Sequence, residues 1–273
     1  MCKNCGCDAS KDKMHQNAHE HRHEHGGHYH VHEHHHEHES GHEHHHEHGE
    51  HQHDHQHSET THVEMEMNIL SENDRIAAEN RALLKSRGIV TVNLISSPGS
   101  GKTALLEKTL DMLKGDVPCA VIVGDQRSDE DAKRLRGRGA PVTQIETDDS
   151  CHLNAGQVAL ALEKTLQPDT KLLFIENVGN LVCPAAFDLG EDFKIALLSA
   201  PEGEDKPLKY PSLFNTARAV IITKIDLCPY LDWDIEKCRR YIRGVNPDVL
   251  LFELSSRSEK GVNSWISYLK TLL

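Results

Sequence analysis

Ile89-Val-Thr-Val-Asn-Leu-Ile-Ser96-Ser97-Pro98-Gly99-Ser100-Gly101-Lys102-Thr103 decides the fold. Its first half is rich in β-branched residues and predicts a buried strand over Ile89 to Ile95. The Ser/Pro/Gly turn breaks that strand, and a helix follows from about Lys102 to Lys114. A strand, a small-residue loop ending in Gly-Lys-Thr and a helix form a phosphate-binding loop, here with Ser96 where the pattern has its first Gly. Gly99 and Gly101 keep side-chain bulk away from backbone N–H groups that converge on phosphate oxygens. Ser100 belongs to the same cradle, Lys102 supplies a cation for the β- and γ-phosphates, and the Thr103 hydroxyl is a ligand for Mg²⁺.

Outward from this loop the alternation continues. Cys119 to Val123, Pro141 to Ile145, Lys171 to Ile175, Lys194 to Ser199, Ala219 to Ile222 and Val249 to Leu254 read as strands. Helices are expected near Asp129, Asn154, Asp234 and Gly261. An earlier helix is predicted to start at a Ser71-Glu-Asn-Asp74 cap and to stop at Gly88. Short apolar strands alternating with helices predict an α/β fold with a mostly parallel, doubly wound sheet.

Two later segments name the nucleotide. Thr223-Lys224-Ile225-Asp226 follows an apolar strand and resembles the guanine motif Asn-Lys-x-Asp, with Thr in first place. A carboxylate at Asp226 accepts from N1–H and the 2-amino group of guanine, donors that adenine lacks. The Lys224 stem covers the base, and Ser255-Ser256-Arg257 supports it from the next strand end. GTP and GDP are therefore the expected ligands. Asp125 and Glu176, both at carboxyl ends of strands, are the expected acids for Mg²⁺ and hydrolysis alongside Lys102 and Thr103. Glu176-Asn-Val-Gly179 reads as a switch motif of the Asp-x-x-Gly type. No Gln stands at a water-positioning place, so slow turnover is expected.

The chain of 273 residues is two unlike parts. Of its 23 histidines, 22 fall between His15 and His62. That stretch has too few apolar residues to offset chain entropy, so residues 8–64 are expected to be disordered and to bind metal at many modest sites. Residues 65–273 have the composition of one globular domain. The formal charge of −13 is softened by partial histidine protonation, about five positive charges near neutral pH. The balance stays acidic, and the short basic run Lys133 to Arg138 reads as a solvated helix face, so nucleic acid is not an expected partner. No apolar run is long enough to span a membrane, and eight cysteines without a secretory signal point to a reducing compartment, the cytoplasm by default.

Metal ligands appear at two further places. Cys2, Cys5 and Cys7 crowd the amino terminus, close enough for three thiolates and the amine to share one ion. Square-planar Ni²⁺ and tetrahedral Zn²⁺ both suit such a set. Cys151-His152, in a loop before a helix, and Cys183, just beyond the switch motif, form a second candidate site needing a fourth ligand from water or another chain. Cys119, Cys228 and Cys238 read as small buried apolar residues.

Taken together, Cys-x-x-Cys-Gly-Cys, the His tract, Ser-Ser-Pro-Gly-Ser-Gly-Lys-Thr, Cys-His-Leu, Ile-Glu-Asn-Val-Gly-Asn-Leu-Val-Cys-Pro, Glu-Gly-Glu-Asp-Lys-Pro-Leu-Lys-Tyr-Pro and Thr-Lys-Ile-Asp-Leu resemble the hydrogenase nickel-incorporation GTPase family, HypB. The resemblance covers the first seven residues and the chain from about Asn68. It implies a P-loop GTPase of the signal-recognition and nitrogenase-iron-protein class that delivers Ni²⁺ to the large subunit of [NiFe]-hydrogenase. It implies a GTP-dependent homodimer with Cys151, His152 and Cys183 at the interface, and a partner metallochaperone binding zinc and nickel. Lys206 and Lys209 would then reach a nucleotide across the dimer. The alternatives are a urease-type nickel-insertion GTPase, against which the Cys-rich start argues, and a nickel store with a decayed GTPase domain, against which intact Gly-Lys-Thr and Lys-Ile-Asp argue.

Overall fold

The computed structural model describes His21–His25, His28–His32 and residues 56–273 apart from Arg127 and Asp149, with side chains from Asn68 onward. Cys2, Cys5 and Cys7 lie outside the described residues. In the histidine tract, β1 (His21–His25) pairs antiparallel with β2 (His28–His32), although the sequence predicts no strand there. The other residues from 8 to 55 lie outside the described residues.

The next element is α1 (Gln56–Ser86), which starts inside the stretch expected to be disordered. The predicted cap at Ser71 is therefore internal to a longer helix. Glu and Met residues from Glu59 to Met67 favour helix, and no Gly or Pro interrupts the run. The chain then alternates through β3 (Val90–Ser96), α2 (Lys102–Leu113), β4 (Cys119–Asp125), α3 (Glu130–Leu135), β5 (Val142–Glu146), α4 (Ala155–Thr165) and β6 (Leu172–Glu176). The second half holds α5 (Cys183–Ala186), β7 (Phe193–Ser199), α6 (Lys206–Lys209), α7 (Pro211–Thr216), β8 (Ala219–Thr223), α8 (Ile235–Val245), β9 (Leu250–Glu253) and α9 (Val262–Thr271). All seven strands expected of the globular part are present. The sequence does not predict the short helices α5, α6 and α7: each is below two turns, with proline at its first or second residue, too brief for apolar periodicity to register.

The seven strands run parallel in the order β5-β4-β6-β3-β7-β8-β9. Strand alternation sorts their side chains onto two covered faces. Val92, Leu94, Val121, Phe174 and Leu197 meet Leu105, Leu106 and Leu110 of α2 and Trp265 of α9. On the other face, Ala120, Ile122 and Ile175 meet Leu84 of α1 and Val158 and Leu162 of α4, while Ile95, Leu198 and Ile222 meet Phe214 of α7 and Ile242 of α8. The chain leaves β3 toward β4 on one side and later returns to place β7 on the other. This topological switch point opens a crevice above the carboxyl end of β3, where the phosphate loop sits. Among the described residues, no helix is long and apolar enough to cross a membrane.

Candidate functional site

The phosphate loop is tied down at each turn. Gly99 (φ 74°) and Gly101 (φ 96°) hold left-handed conformations that a Cβ would strain. Lys102 Nζ donates to Ser96 Oγ at 2.9 Å, and Ser96 Oγ donates to the Ser97 carbonyl at 2.7 Å. Ser96 therefore holds the lysine over the loop. Thr223 also departs from the usual pattern, and the sequence predicts that a loop brace is lost there. Instead its hydroxyl donates to the Ser100 carbonyl at 2.6 Å and supplies the brace. Lys224 Nζ donates to the Gly99 carbonyl at 2.6 Å, so its stem lies along the loop.

One clamp was not legible in the sequence. Glu202, in a 3₁₀ turn after β7, accepts from Ser100 Oγ at 2.6 Å and from Ser199 Oγ at 2.6 Å. Its carboxyl is held below the usual range by these hydroxyl donors, against the opposing effect of burial.

A cavity of 530 Å³ opens beside the loop, lined by Gly99, Gly101, Lys102, Thr103, Asp125 and Glu176 among others. Glu176 lies in the sheet between Leu94 and Val123, buried at 2% exposure. Thr103 Oγ1 donates to Glu176 Oε1 at 2.7 Å, while Glu176 Oε2 is buried with no hydrogen-bond partner. Burial raises the Glu176 carboxyl from an ordinary 4.5 to about 7. Burial likewise depresses Lys102, opposed by the neighbouring carboxylates led by Glu176. A buried hydroxyl, a carboxylate with one open oxygen and a desolvated lysine fit a phosphate with its Mg²⁺. Asp125 sits at the cavity edge, and its Oδ1 accepts from the Gln126 N–H at 2.7 Å.

Gly179 passes so close to the loop that a Cβ would meet Pro98 Cγ at 2.9 Å. The switch segment thus rests on the phosphate loop. Asp131 and Arg134 of α3 also line the cavity, and Arg134 pairs with Glu107 and Asp131. The basic run is therefore only partly a solvated face. The signal was an Arg one turn beyond an acid on a helix entering the crevice, easily mistaken for a surface pair.

Asp226, Ser255 and Ser256 do not line this cavity. They occupy the loops after β8 and β9 at the same edge of the sheet. Ser255 is buried, its Oγ accepts from the Ser258 N–H at 3.1 Å, and its own N–H donates to the Lys260 carbonyl at 2.9 Å. The Ile225 N–H donates to the Leu254 carbonyl at 3.4 Å, tying the Asp226 loop to the serine loop.

The second cluster lies beyond the switch segment. Donor atoms of Cys151, His152 and Cys183 all fall within 4.8 Å of one another. Cys151 Sγ lies 3.8 Å from His152 Nδ1, and the His152 ring lies against Phe187 with centroids 3.9 Å apart. Burial lowers the His152 pKa and favours neutral imidazole, the form that binds metal. Two thiols and an imidazole, from one loop and the first residue of α5, suit a soft or borderline divalent ion. Cys119 and Cys238 are buried, and burial raises both thiols to about 12. Cys228 is half-buried, with its thiol raised chiefly by burial.

This parallel sheet, its phosphate loop at the switch point and its buried acid beside the Thr103 hydroxyl define a P-loop nucleotide-binding protein of the GTPase type. Residues 90–253 match the family model CobW/HypB/UreG, nucleotide-binding domain. A hydrogenase maturation factor HypB of Azotobacter chroococcum is 52% identical over 208 residues, covering 76% of this chain and 68% of that protein. Two solved structures are each 37% identical. HypB from Helicobacter pylori in complex with nickel has a TM-score of 0.69 over 73% of this chain and 94% of its own. Hydrogenase maturation factor HypB from Archaeoglobus fulgidus has a TM-score of 0.70 over 74% and 99%. The chain belongs to the HypB family of hydrogenase maturation factors.

Proposed function

We propose that this chain hydrolyses GTP and uses the nucleotide state to hold and release Ni²⁺ for maturation of [NiFe]-hydrogenase. The observation that carries this reading is the placement of the Cys151, His152 and Cys183 cluster beside the Glu176–Gly179 segment that lines the phosphate cavity. The nickel complex of the Helicobacter pylori relative supports the choice of cargo.

Backbone N–H groups of the loop and the Lys102 ammonium receive the phosphates, and the anion favours the lysine's charged form. Thr103 and Glu176, with Asp125 at the edge, would hold Mg²⁺, which neutralises charge between the β- and γ-phosphates when bound. Water attacks the γ-phosphorus, the bond to the GDP oxygen breaks, and GDP and phosphate leave. Asp226 selects guanine, with Lys224 and the Ser255-Ser256 loop around the base. Three protein ligands leave a metal position for water or a second copy, consistent with a GTP-dependent homodimer. Lys206 and Lys209 would face the partner's nucleotide in such a pair. Cys2, Cys5 and Cys7 form a separate Ni²⁺ or Zn²⁺ site, and the histidine tract buffers nickel. The partners are a metallochaperone of the same pathway and the hydrogenase large subunit, in the cytoplasm.

The test uses the full chain. Alkylation of Cys151 and Cys183 is followed peptide by peptide as Ni²⁺ is added, with GDP or a non-hydrolysable GTP analogue present. Different half-protection concentrations are expected for the two nucleotides. Equal values, or no GTP hydrolysis by the wild type, would reject the reading.

A further inference from the structure

We infer that Asn177 is the positioning residue that ties the Cys151–His152 loop to the phosphate cavity, so that the contents of the cavity set where that loop sits. The inference rests on the nucleotide–metal coupling proposed above and names the group that transmits it.

Asn177 follows Glu176 and is itself a cavity-lining residue, 1% exposed. Its backbone N–H donates to the Leu94 carbonyl at 3.1 Å, which pins it to the end of β3 beside the phosphate loop. Its side chain faces three ways. Oδ1 accepts from the Val178 N–H at 3.0 Å, inside the switch segment. The same oxygen accepts from the Leu153 N–H at 3.3 Å, in the residue after His152. Nδ2 donates to Asn93 Oδ1 at 3.3 Å, and Asn93 Nδ2 donates to Glu191 Oε1 at 3.2 Å. Such a buried chain fixes the amide's orientation, because Asn177 and Asn93 each use a donor and an acceptor and the chain ends on the accepting Glu191 carboxyl. Only an amide both accepts from two N–H groups and donates to a third partner here.

The far end of this contact is anchored by longer bonds. The peptide joining His152 to Leu153 is held on both sides. Asn177 takes its N–H, and Ser150 Oγ donates to its carbonyl at 3.2 Å. The Leu153 side chain is wholly buried against Gly124, where an added Cβ would meet Leu153 Cγ at 2.7 Å. Gly124 lines the cavity too. A second strut runs from the same segment, with Asn180 Nδ2 donating to the Cys151 carbonyl at 3.4 Å. The loop carrying two of the three metal donors is thus fastened to the switch segment at Asn177 and Asn180 and pressed on Gly124. A shift of Val178 and Gly179 toward or away from a γ-phosphate pulls on Asn177 Oδ1 directly, and through it on the backbone of His152.

The experiment needs the full chain and two readouts. In the wild type without nickel, hydrogen exchange at the Leu153 amide should differ by about threefold or more between GDP and a non-hydrolysable GTP analogue. In Asn177→Ala, the ratio of half-protecting Ni²⁺ concentrations for Cys151 and Cys183 under the two nucleotides should fall to within about twofold of one. A purely structural role would lower the melting temperature of Asn177→Ala and leave that ratio unchanged. A wild type with a single half-protection value removes the coupling reading, and this inference with it. Wild-type coupling that Asn177→Ala retains overturns the inference alone. If Asn177→Ala fails to melt cooperatively, the wild-type exchange decides, and equal exchange at Leu153 overturns the role.

Discussion

The phosphate loop and the metal cluster sit at the same edge of one sheet, yet they are built in opposite ways. Around the loop, Lys102, Ser100 and Lys224 each end on a named partner at 2.6 to 2.9 Å, and Glu202 and Thr223 grip Ser100 from two other strand ends. The cluster draws its donors from a loop and the start of α5, and the bonds that join its loop to the switch segment are longer, with the Leu153 N–H to Asn177 Oδ1 at 3.3 Å and Asn180 to the Cys151 carbonyl at 3.4 Å. A preorganised cradle suits a ligand whose charge must meet fixed N–H groups at once. A compliant cluster suits a cargo that must also leave. Rigidity at one end and compliance at the other let a change in the first move the second.

The largest effect that would test this contrast is at Lys102. Lys102→Ala should reduce GTP hydrolysis by at least about a hundredfold in a phosphate-release assay, because Lys224, also at the loop, is held on the Gly99 carbonyl. Turnover near the wild-type rate would show that the cradle is not the reacting site.

Glu176 comes next. Its carboxyl is raised from 4.5 to about 7, so the folded protein holds a proton that the unfolded chain has released across that window. Stability from this residue is therefore lost as pH rises from 4.5 to about 7 and is flat above. At about 1.36 kcal/mol per unit, the shift is worth on the order of 3 kcal/mol. Glu176→Gln should raise the melting temperature of the nucleotide-free protein at pH 8 and leave it nearly unchanged at pH 5. The same variant should lose Mg²⁺-dependent hydrolysis. In the wild type, Mg²⁺ affinity should climb as pH passes through neutrality, because the ion needs the carboxylate.

On the compliant side, Cys151→Ser should abolish nickel protection of Cys183 while changing unfolding free energy by less than about 0.5 kcal/mol, as for a half-buried residue outside the core. A large loss of stability would make the cluster structural and erase the contrast. The smallest effect is at Thr223. Thr223→Val removes one brace on Ser100 and should weaken GDP binding several-fold in calorimetry, in line with about 1 kcal/mol per neutral hydrogen bond. A null result would leave Glu202 as the grip that matters.

The strand-loop-helix around Gly101-Lys102-Thr103 was legible because it needs only local chemistry: β-branched residues, small residues and a lysine at fixed spacing. The same holds for the Cys151-His152 pair and for the strands from Cys119 to Leu254. Other features were hidden because their partners lie far apart in the chain. Glu202 meets Ser100 across 102 positions, and Thr223 meets Ser100 across 123. In the sequence the first reads as one more acid in an acidic loop and the second as a departure from a motif. Asn93 did give a signal, a polar residue inside an apolar central strand, but its meaning depended on Asn177, 84 residues on. The start of α1 was misplaced because Ser71-Glu-Asn-Asp74 has cap chemistry wherever it stands. Helix-forming residues before it simply continued the helix.

By itself the sequence determined the seven strands of the parallel sheet and the longer helices between them, the phosphate loop, the acid and thiol candidates and the family. Each of these follows from spacing and side-chain chemistry within a few residues. Only the tertiary structure decided that β6 lies between β4 and β3, placing Glu176 beside Thr103 and Asn177 against the metal loop. That choice belongs to strand order, set by how two apolar faces are buried at once, and no local pattern in the chain specifies it.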